Sequence, residues 1–169
     1  MQTEENLPQL IAQIYDAALA PELWTDVLSR IGEFVGSKGG GIVSKDAVTK
    51  ASTPHYHFGV DPDHVRIYSQ THSKFDPLST LPLFDLEHVV SVPELVPYHE
   101  FRQGRFFQEW MSPQDWVDTA SAVLEKSTSS WSFLAVLRTR GSGLVDDEMR
   151  HRMALVVPHV RREIGRAHV

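Results

Sequence analysis

The residues with the clearest capacity for metal chemistry are the histidines, because the chain contains nine histidines and no cysteine. His55 and His57 are two positions apart, and in a strand this spacing places both imidazole rings on one face. Two ligands do not complete a metal site, and no acidic residue lies at ligand spacing near the pair. We therefore expect no resident metal and interpret the pair as polar residues of an exposed edge strand.

A haem group needs fewer protein ligands, because one imidazole in an apolar pocket can hold its iron from the proximal side. His72 and His99 are the histidines for which this alternative stays open. The prediction for cofactors is therefore none, with haem as the alternative.

Nucleophilic catalysis has little support in the sequence. The absence of cysteine removes thiolate nucleophiles and disulfides. Ser129, Ser130 and Ser132 have no paired histidine and acid at a recognisable spacing, and no Gly-x-Ser-x-Gly sequence occurs. The glycine run at 39–41 lacks the Gly-Lys-Ser/Thr ending of a phosphate-binding loop, so it is interpreted as a flexible turn between a helix and a strand. We predict no enzyme activity.

Aromatic side chains in the middle of the chain are the best candidates for a ligand pocket, because small-molecule sites are mostly apolar with a few polar tips. The candidates are Tyr68, Phe75, Phe101, Phe106, Trp110 and Trp116. Phe106 and Trp110 are four positions apart and so share a helix face, whereas Phe107 points elsewhere. Core packing explains the same residues equally well, and the sequence leaves both interpretations open.

Two amphipathic helices over residues 1–36 are the first elements that would support such a pocket. Apolar residues recur at helical spacing from Leu7 to Ala18 and from Leu23 to Phe34, and Gly36 supplies a stop. The two helices are predicted to form a hairpin.

A sheet is predicted from three regions of β-branched or alternating apolar residues. Strands are expected at 42–44 and 51–58 around the turn-like Lys45-Asp46, near 89–92, and as a hairpin from about Thr119 to Arg140. Apolar residues over 133–137 alternate between the two faces of the second hairpin strand. Both sheet faces must therefore be covered by helices.

The remaining helices are predicted from Asp61-Pro62 to about His72, over 98–111, and from about Asp146 towards the C-terminus. This order of elements predicts one α+β, PAS/GAF-like domain over residues 1–169. It has an antiparallel sheet of about five strands with helices on both faces, an N-terminal helix pair (1–36) and a long C-terminal signalling helix (146–169).

Composition indicates an ordinary soluble globular domain, with 41% hydrophobic and 22% charged residues. The formal net charge of -6 opposes direct nucleic-acid contact, which usually needs a concentrated basic patch. No apolar run approaches the ~20 residues that span a bilayer, and the acidic first residues differ from a secretory signal. The predicted location is cytoplasmic, with no membrane partner.

Several stretches, taken in order, resemble the N-terminal regions of LuxR-type helix-turn-helix transcriptional regulators. They are LIAQIYDAAL (10–19) followed by Trp24, then Asp76-Pro77, ELVP (94–97), FFQEWMSPQ (106–114) and PHVRR (158–162). The resemblance covers almost the whole chain. It implies a regulatory domain that senses a small-molecule ligand, forms a homodimer, and contacts DNA only through a C-terminal helix-turn-helix domain absent from these residues.

The resemblance also implies a role for Asp76, whose counterpart in the lactone-sensing members accepts a hydrogen bond from a ligand amide. Asp76 therefore joins the ligand-binding candidates, although an aspartate before proline is also a turn or cap residue. The chain departs from those members at His64, four positions before Tyr68, where a tryptophan is expected. A small molecule is implied at this place, but a lactone is not.

A homodimer through the terminal helices is predicted from their apolar stripes. The N-terminal stripe and the stripe from Met149 to Ile164 together offer more apolar surface than one sheet face can cover. Two other functions remain as alternatives: a dimerisation module with a filled core and no ligand, and a haem-binding sensor.

Overall fold

The computed structural model describes residues 4–167, with side chains over 4–165. Residues 1–3 of the predicted helix pair and 168–169 of the predicted signalling helix lie outside the described residues. The α-helices are α1 (Leu7–Leu19), α2 (Trp24–Val35), α3 (Pro62–Gln70), α4 (Val92–Leu95), α5 (Tyr98–Gln103) and α6 (Asp147–Ala167). The strands are β1 (Gly40–Asp46), β2 (Ser52–Phe58), β3 (Val90–Ser91), β4 (Trp116–Lys126) and β5 (Ser130–Thr139). A 3-10 helix (Pro77–Leu83) precedes β3, and a π-helical turn (Phe106–Met111) follows α5.

The strands described over residues 4–167 form one antiparallel sheet in the order β2-β1-β5-β4-β3. Strands β4 and β5 form the predicted hairpin, which begins at Trp116 rather than near Thr119. β1 lies between β2 and β5, so the first strand of the chain is a central one. The predicted antiparallel sheet is confirmed.

Strand β1 is longer than predicted because the glycines at its start belong to the strand. Gly40 and Gly41 are buried, and a Cβ atom on them would overlap the carbonyl oxygens of Ala135 and Tyr56 in the neighbouring strands. Glycine is therefore required for this close approach, and the predicted flexible turn is wrong. Lys45, predicted within a turn, is also a residue of β1.

One face of the sheet packs against α1, α2 and α6. The buried side chains of these helices include Leu10, Ile14, Trp24, Leu28, Ile31, Phe34, Met149, Met153, Val156, Val160 and Ile164. The α6 stripe from Met149 to Ile164 is at most 3% exposed, and so are Leu10 and Ile14 of α1. These stripes are covered within a single chain. The argument that they leave unused surface for a dimer is therefore wrong.

The opposite face is covered by α3, α4, α5, the π-helical turn and the 3-10 helix. Its buried side chains form two groups. The aromatic cluster contains Tyr68, Val92, Phe101, Phe106, Phe107, Trp110, Met111, Trp116 and Leu137. The hairpin cluster contains Leu78, Leu81, Val90, Val123, Trp131 and Phe133. Val43 packs against both clusters, and the alternating residues of β5 contribute to both faces as predicted.

The helix predicted over 98–111 is divided into α5 and the π-helical turn. Gly104 follows α5 with an extended backbone (ψ 164°), which ends the helix before the turn begins. Phe107 packs against Phe101 with ring centroids 5.5 Å apart, while Phe106 stacks with Trp110. The different orientations predicted for these rings are confirmed.

A β-bulge separates the two histidines of β2, because the pairing with β1 skips His55. The His55 ring hydrogen bonds to Ser44 Oγ (2.7 Å), whereas His57 lies on the wall of a cavity on the opposite face. The prediction that both rings share one face is wrong, because a bulge shifts the alternation of side chains.

Candidate functional site

A partly open cavity of about 80 Å³ lies where the aromatic cluster meets the hairpin cluster. It is enclosed between the sheet and the elements that cover the face opposite α6. Its wall consists of Gly40, Gly41, Val43, Pro54, Tyr56, His57, Val60, Val65, Tyr68, Leu78, Phe106, Trp110, Thr119, Phe133, Ala135 and Leu137. This wall is almost entirely apolar, which is the character expected of a small-molecule site.

The sheet side of the cavity, its floor, has little side-chain volume because two small residues lie opposite each other in the central strands. Gly41 of β1 pairs directly with Ala135 of β5. The larger side chains of Phe133 and Leu137 flank Ala135 on the same face of β5. The missing side-chain volume over the Gly41–Ala135 pair therefore accounts for the position of the cavity.

Three aromatic rings form the roof. Phe106 and Trp110 stack with ring centroids 5.3 Å apart and an interplanar angle of 19°. The ring centroids of Tyr68 and Trp110 are also 5.3 Å apart. The Trp110 indole donates its Nε1 hydrogen to the His64 carbonyl oxygen (2.8 Å), which ties the π-helical turn to α3. The roof is thus held by ring contacts and one hydrogen bond between two separate elements.

A buried charged cluster lies behind the Tyr68 ring. The Lys45 ammonium contacts Asp76 Oδ2 at 2.8 Å, and both side chains are fully buried. Lys45 also donates to the Ser73 carbonyl oxygen (2.6 Å), and the Tyr68 hydroxyl donates to Asp76 Oδ2 (2.6 Å). Asp76 Oδ1 accepts from the Leu78 backbone N–H (3.0 Å), so this carboxylate also caps the 3-10 helix. The cluster ties β1, α3 and the 3-10 helix together.

The electrostatics of the cluster follow from its burial. Burial raises the pKa of the Asp76 carboxyl, while the Lys45 ammonium and the Tyr68 hydroxyl oppose that rise. Burial also raises the pKa of the Tyr68 hydroxyl well above its usual value, and the neighbouring Asp76 charge adds to the effect. Tyr68 therefore remains a hydrogen-bond donor at neutral pH.

Four of the seven predicted site residues lie at or beside the cavity. Tyr68, Phe106 and Trp110 form its roof, and Asp76 is one hydrogen bond behind Tyr68. The predicted role of Asp76 as an acceptor for a ligand amide stays a prediction. In this structure, both of its oxygens already accept hydrogen bonds from the protein.

The other three predicted residues lie outside this wall. Phe75 is 45% exposed, with the Arg105 guanidinium 4.3 Å from its ring centroid. Phe101 packs within the aromatic cluster, and Trp116 lies beside Gly39 at the edge of that cluster. Sequence spacing could not separate these residues from the roof, because it does not show how the covering elements turn.

Sequence reasoning missed Lys45 and the small floor residues. Lys45 follows Gly41 and Val43 at two-residue intervals, so strand alternation places all three on the cavity face. That alternation was the available signal, and interpreting Lys45-Asp46 as a turn concealed it. Ala135 was assigned to the correct face, but its pairing with Gly41 needs the strand order.

Neither candidate haem histidine lies on the cavity wall. His72 is buried with Nε2 3.3 Å from Glu109 Oε1, and His99 is exposed. Across the described residues, no group of three histidine, aspartate or glutamate side chains could hold a metal ion. Within residues 4–167, no helix combines the length and apolar character needed to cross a membrane.

No protein-family model matches the sequence, and no curated protein matches it significantly. Solved structures do match the fold. The LBD domain of VqsR from Pseudomonas aeruginosa has a TM-score of 0.73 at 13% identity, covering 95% of this chain and 95% of that chain.

Two GAF domains are also similar to this chain. One comes from a phosphoenolpyruvate-protein phosphotransferase (ptsP) of Coxiella burnetii, with a TM-score of 0.62 at 11% identity. The other is the phycoerythrobilin-bound GAF domain of a cyanobacterial phytochrome, with a TM-score of 0.63 at 11% identity. Each match covers 99% of this chain and 97% of the other. The chain therefore has an α+β, GAF-like fold built on a five-stranded antiparallel sheet.

Proposed function

We propose that this chain is the small-molecule-sensing, dimerising regulatory domain of a cytoplasmic LuxR-type transcriptional regulator. The observation that carries the proposal is the apolar cavity between the Gly41–Ala135 floor and the aromatic roof. Two structural neighbours give support by their names, since one is a ligand-binding domain and one is bound to phycoerythrobilin. The LuxR-type assignment rests on the ordered sequence resemblance. We propose neither an enzyme activity nor a resident cofactor.

The size of the cavity limits what it can hold. Its volume of about 80 Å³ is below the roughly 300–1,000 Å³ of most small-molecule sites. A ligand therefore has to be small, or the roof has to move outwards when it binds. The Phe106–Trp110 stack belongs to a short π-helical turn, and such turns are frequent at functional sites.

Asp118 provides a connection from the cavity wall to α6. This buried residue precedes the wall residue Thr119, and its Oδ1 accepts from the Val92 backbone N–H (3.0 Å). Its Oδ2 accepts from the Val145 N–H (2.9 Å), two residues before α6. A ligand that displaces Thr119 would shift the start of α6 through this carboxylate. For such a shift, the ligand needs only to bind more tightly to the protein with α6 in one position than in the other.

Dimerisation remains part of the proposal through the sequence resemblance. The buried stripes of α1 and α6 do not support it. Among the residues whose side chains are described, large apolar side chains that stay exposed near the terminal helices are Leu19 (89%), Leu23 (40%) and Leu144 (42%). DNA would be contacted by a separate helix-turn-helix domain.

The small volume of the cavity favours one rival, a dimerisation module with a filled core. A thermal-shift screen of single-ring compounds separates the two functions. Ala135→Leu fills the floor, and Ala154→Leu makes the same change at an exposed position of α6. Sensing predicts a compound that stabilises the wild type and Ala154→Leu but not Ala135→Leu. If no compound stabilises the wild type, the filled-core module is the better description.

A further inference from the structure

The polar groups of the cavity roof are already occupied by the protein. Trp110 donates its indole hydrogen to the His64 carbonyl oxygen. The Tyr68 hydroxyl hydrogen is donated to Asp76 Oδ2 at 2.6 Å. Tyr68 would have to break a buried hydrogen bond, and Trp110 a partly buried one, before it could donate to a ligand. A buried acceptor left without its donor is costly. The roof therefore offers ring surface rather than hydrogen bonds.

The charges behind the roof are matched to each other. Lys45 and Asp76 lie 2.8 Å apart with both side chains fully buried, so their opposite charges are paired out of contact with water. To pair with a ligand carboxylate, Lys45 would have to leave Asp76. To pair with a ligand ammonium, Asp76 would have to leave Lys45. Breaking a buried ion pair leaves one uncompensated charge, which is strongly unfavourable.

Three polar side chains remain on the described wall, those of Tyr56, His57 and Thr119. The Tyr56 ring packs against Trp24 on the opposite face of the sheet, with ring centroids 6.1 Å apart. Thr119 Oγ1 accepts a hydrogen bond from Ser121 Oγ (3.3 Å). His57 is half-buried in β2. Thr119 can make only a neutral hydrogen bond. His57 is the one imidazole on the described wall, and a benzoate that pairs with it is an outcome of the test below.

We propose that the cavity binds an uncharged, mainly apolar molecule no larger than about one aromatic ring, held by contact with Phe106 and Trp110. One ring is an upper limit on size, since the cavity of about 80 Å³ has roughly half the volume of a cavity of about 150 Å³ that binds benzene in another protein. A ring therefore requires a small outward shift of the Phe106–Trp110 roof. The inference rests on the proposed function, because it defines the ligand class for the same site. It also gives Asp76 a structural role in place of recognition of a ligand amide.

Four probes of one ring and one substituent test the ligand class: toluene, benzamide, benzoate and benzylamine. Each is titrated into the wild type while methyl NMR spectra are recorded. Val43 and Leu137 report on the cavity, and Val27 of α2, on the opposite face and outside α6, is the internal control. We expect toluene to shift the NMR signals of the cavity methyl groups. Its dissociation constant should be at least about tenfold below those of benzoate and benzylamine, because each of these two charged probes would bury its charge. Benzamide should bind more weakly than toluene, because its amide would be buried without a free hydrogen-bond partner on the roof.

The variants locate the binding. Ala135→Leu should remove the toluene response, while Ala154→Leu should keep it; Ala135→Val replaces the first variant if leucine prevents folding. Binding of benzoate, benzylamine or benzamide as tightly as toluene, with loss in the Ala135 variant, would overturn the ligand class and leave the sensing function intact. Absence of any response at Val43 and Leu137 would contradict the sensing function itself.

Discussion

Lys45→Met tests whether the buried charged cluster holds the covering elements on the sheet. The substitution keeps an unbranched apolar side chain but removes the ammonium that contacts Asp76 (2.8 Å) and the Ser73 carbonyl oxygen (2.6 Å). Asp76 then keeps the Tyr68 and Leu78 donors but loses its cation. Removal of one partner of a buried ion pair costs roughly 3–5 kcal/mol. At about 2–4 °C per kcal/mol in a domain of this size, the melting temperature should fall by about 6–20 °C.

The double variant Lys45→Met/Asp76→Asn separates the charge from the shape of the site. The introduced asparagine would be uncharged, and its side-chain oxygen could still accept from the Leu78 N–H. A neutral replacement of a buried ion pair is often nearly neutral in stability, so the double variant should lie within about 1 kcal/mol of the wild type. Exposed Lys38→Met is the control and should change stability by no more than about 0.5 kcal/mol.

Urea unfolding, monitored by circular dichroism, measures these free energies of unfolding. The dependence of the free energy on urea concentration (the m-value) should be the same in all variants. A loss below about 1 kcal/mol for Lys45→Met would refute the reasoning. Asp76→Asn alone completes the comparison. A double variant whose loss of stability equals the sum of the losses in Lys45→Met and Asp76→Asn would also refute the reasoning, because the pair would then be uncoupled.

Three further predictions concern the roof, the buried tyrosine and the oligomeric state. Trp110→Ala should lower the free energy of unfolding by roughly 3–5 kcal/mol and abolish ligand-induced stabilisation. Trp110→Phe should retain part of the stability and part of the ligand-induced stabilisation. Thermal melts with and without ligand measure both effects, and an unchanged ligand-induced shift in Trp110→Ala would exclude Trp110 from the site. Because the pKa of Tyr68 is raised by burial, the folded chain should keep this proton above about pH 10 while the unfolded chain loses it, so its contribution to stability is present below about pH 10 and is lost as pH rises. Tyr68→Phe should weaken this alkaline loss in urea titrations, and an identical pH profile in the variant would contradict the burial effect. Light scattering should show a homodimer, and a monomer at high micromolar concentration would remove dimerisation from the proposed function.

The elements that sequence patterns predicted well are those with a long, regular period. The stripes of α1, α2 and α6 and the alternation over 133–137 identified the helices, the hairpin and the need to cover both sheet faces. These features depend on residues close together in the chain, so local spacing is enough to detect them.

The errors occurred where tertiary contact overrides local preference. The glycines at 40 and 41 look like a turn, but they permit close approach between neighbouring strands. Lys45 looks like a surface residue until Asp76 is brought against it from 31 positions away along the chain. The bulge at His55 reverses the side-chain alternation that predicted a shared face for the two histidines. The roof residues were predicted, whereas the floor depends on the strand order.

The cavity's occupancy is tested most directly by a crystal structure of the protein with the single-ring compound that raises its melting temperature most. Filling a void of about 80 Å³ returns stability at about 24 cal/mol per Å³, or about 2 kcal/mol. The proposed function predicts density for one ring between Ala135 and the Phe106–Trp110 stack. An empty, unchanged cavity with the compound bound elsewhere on the surface would contradict it.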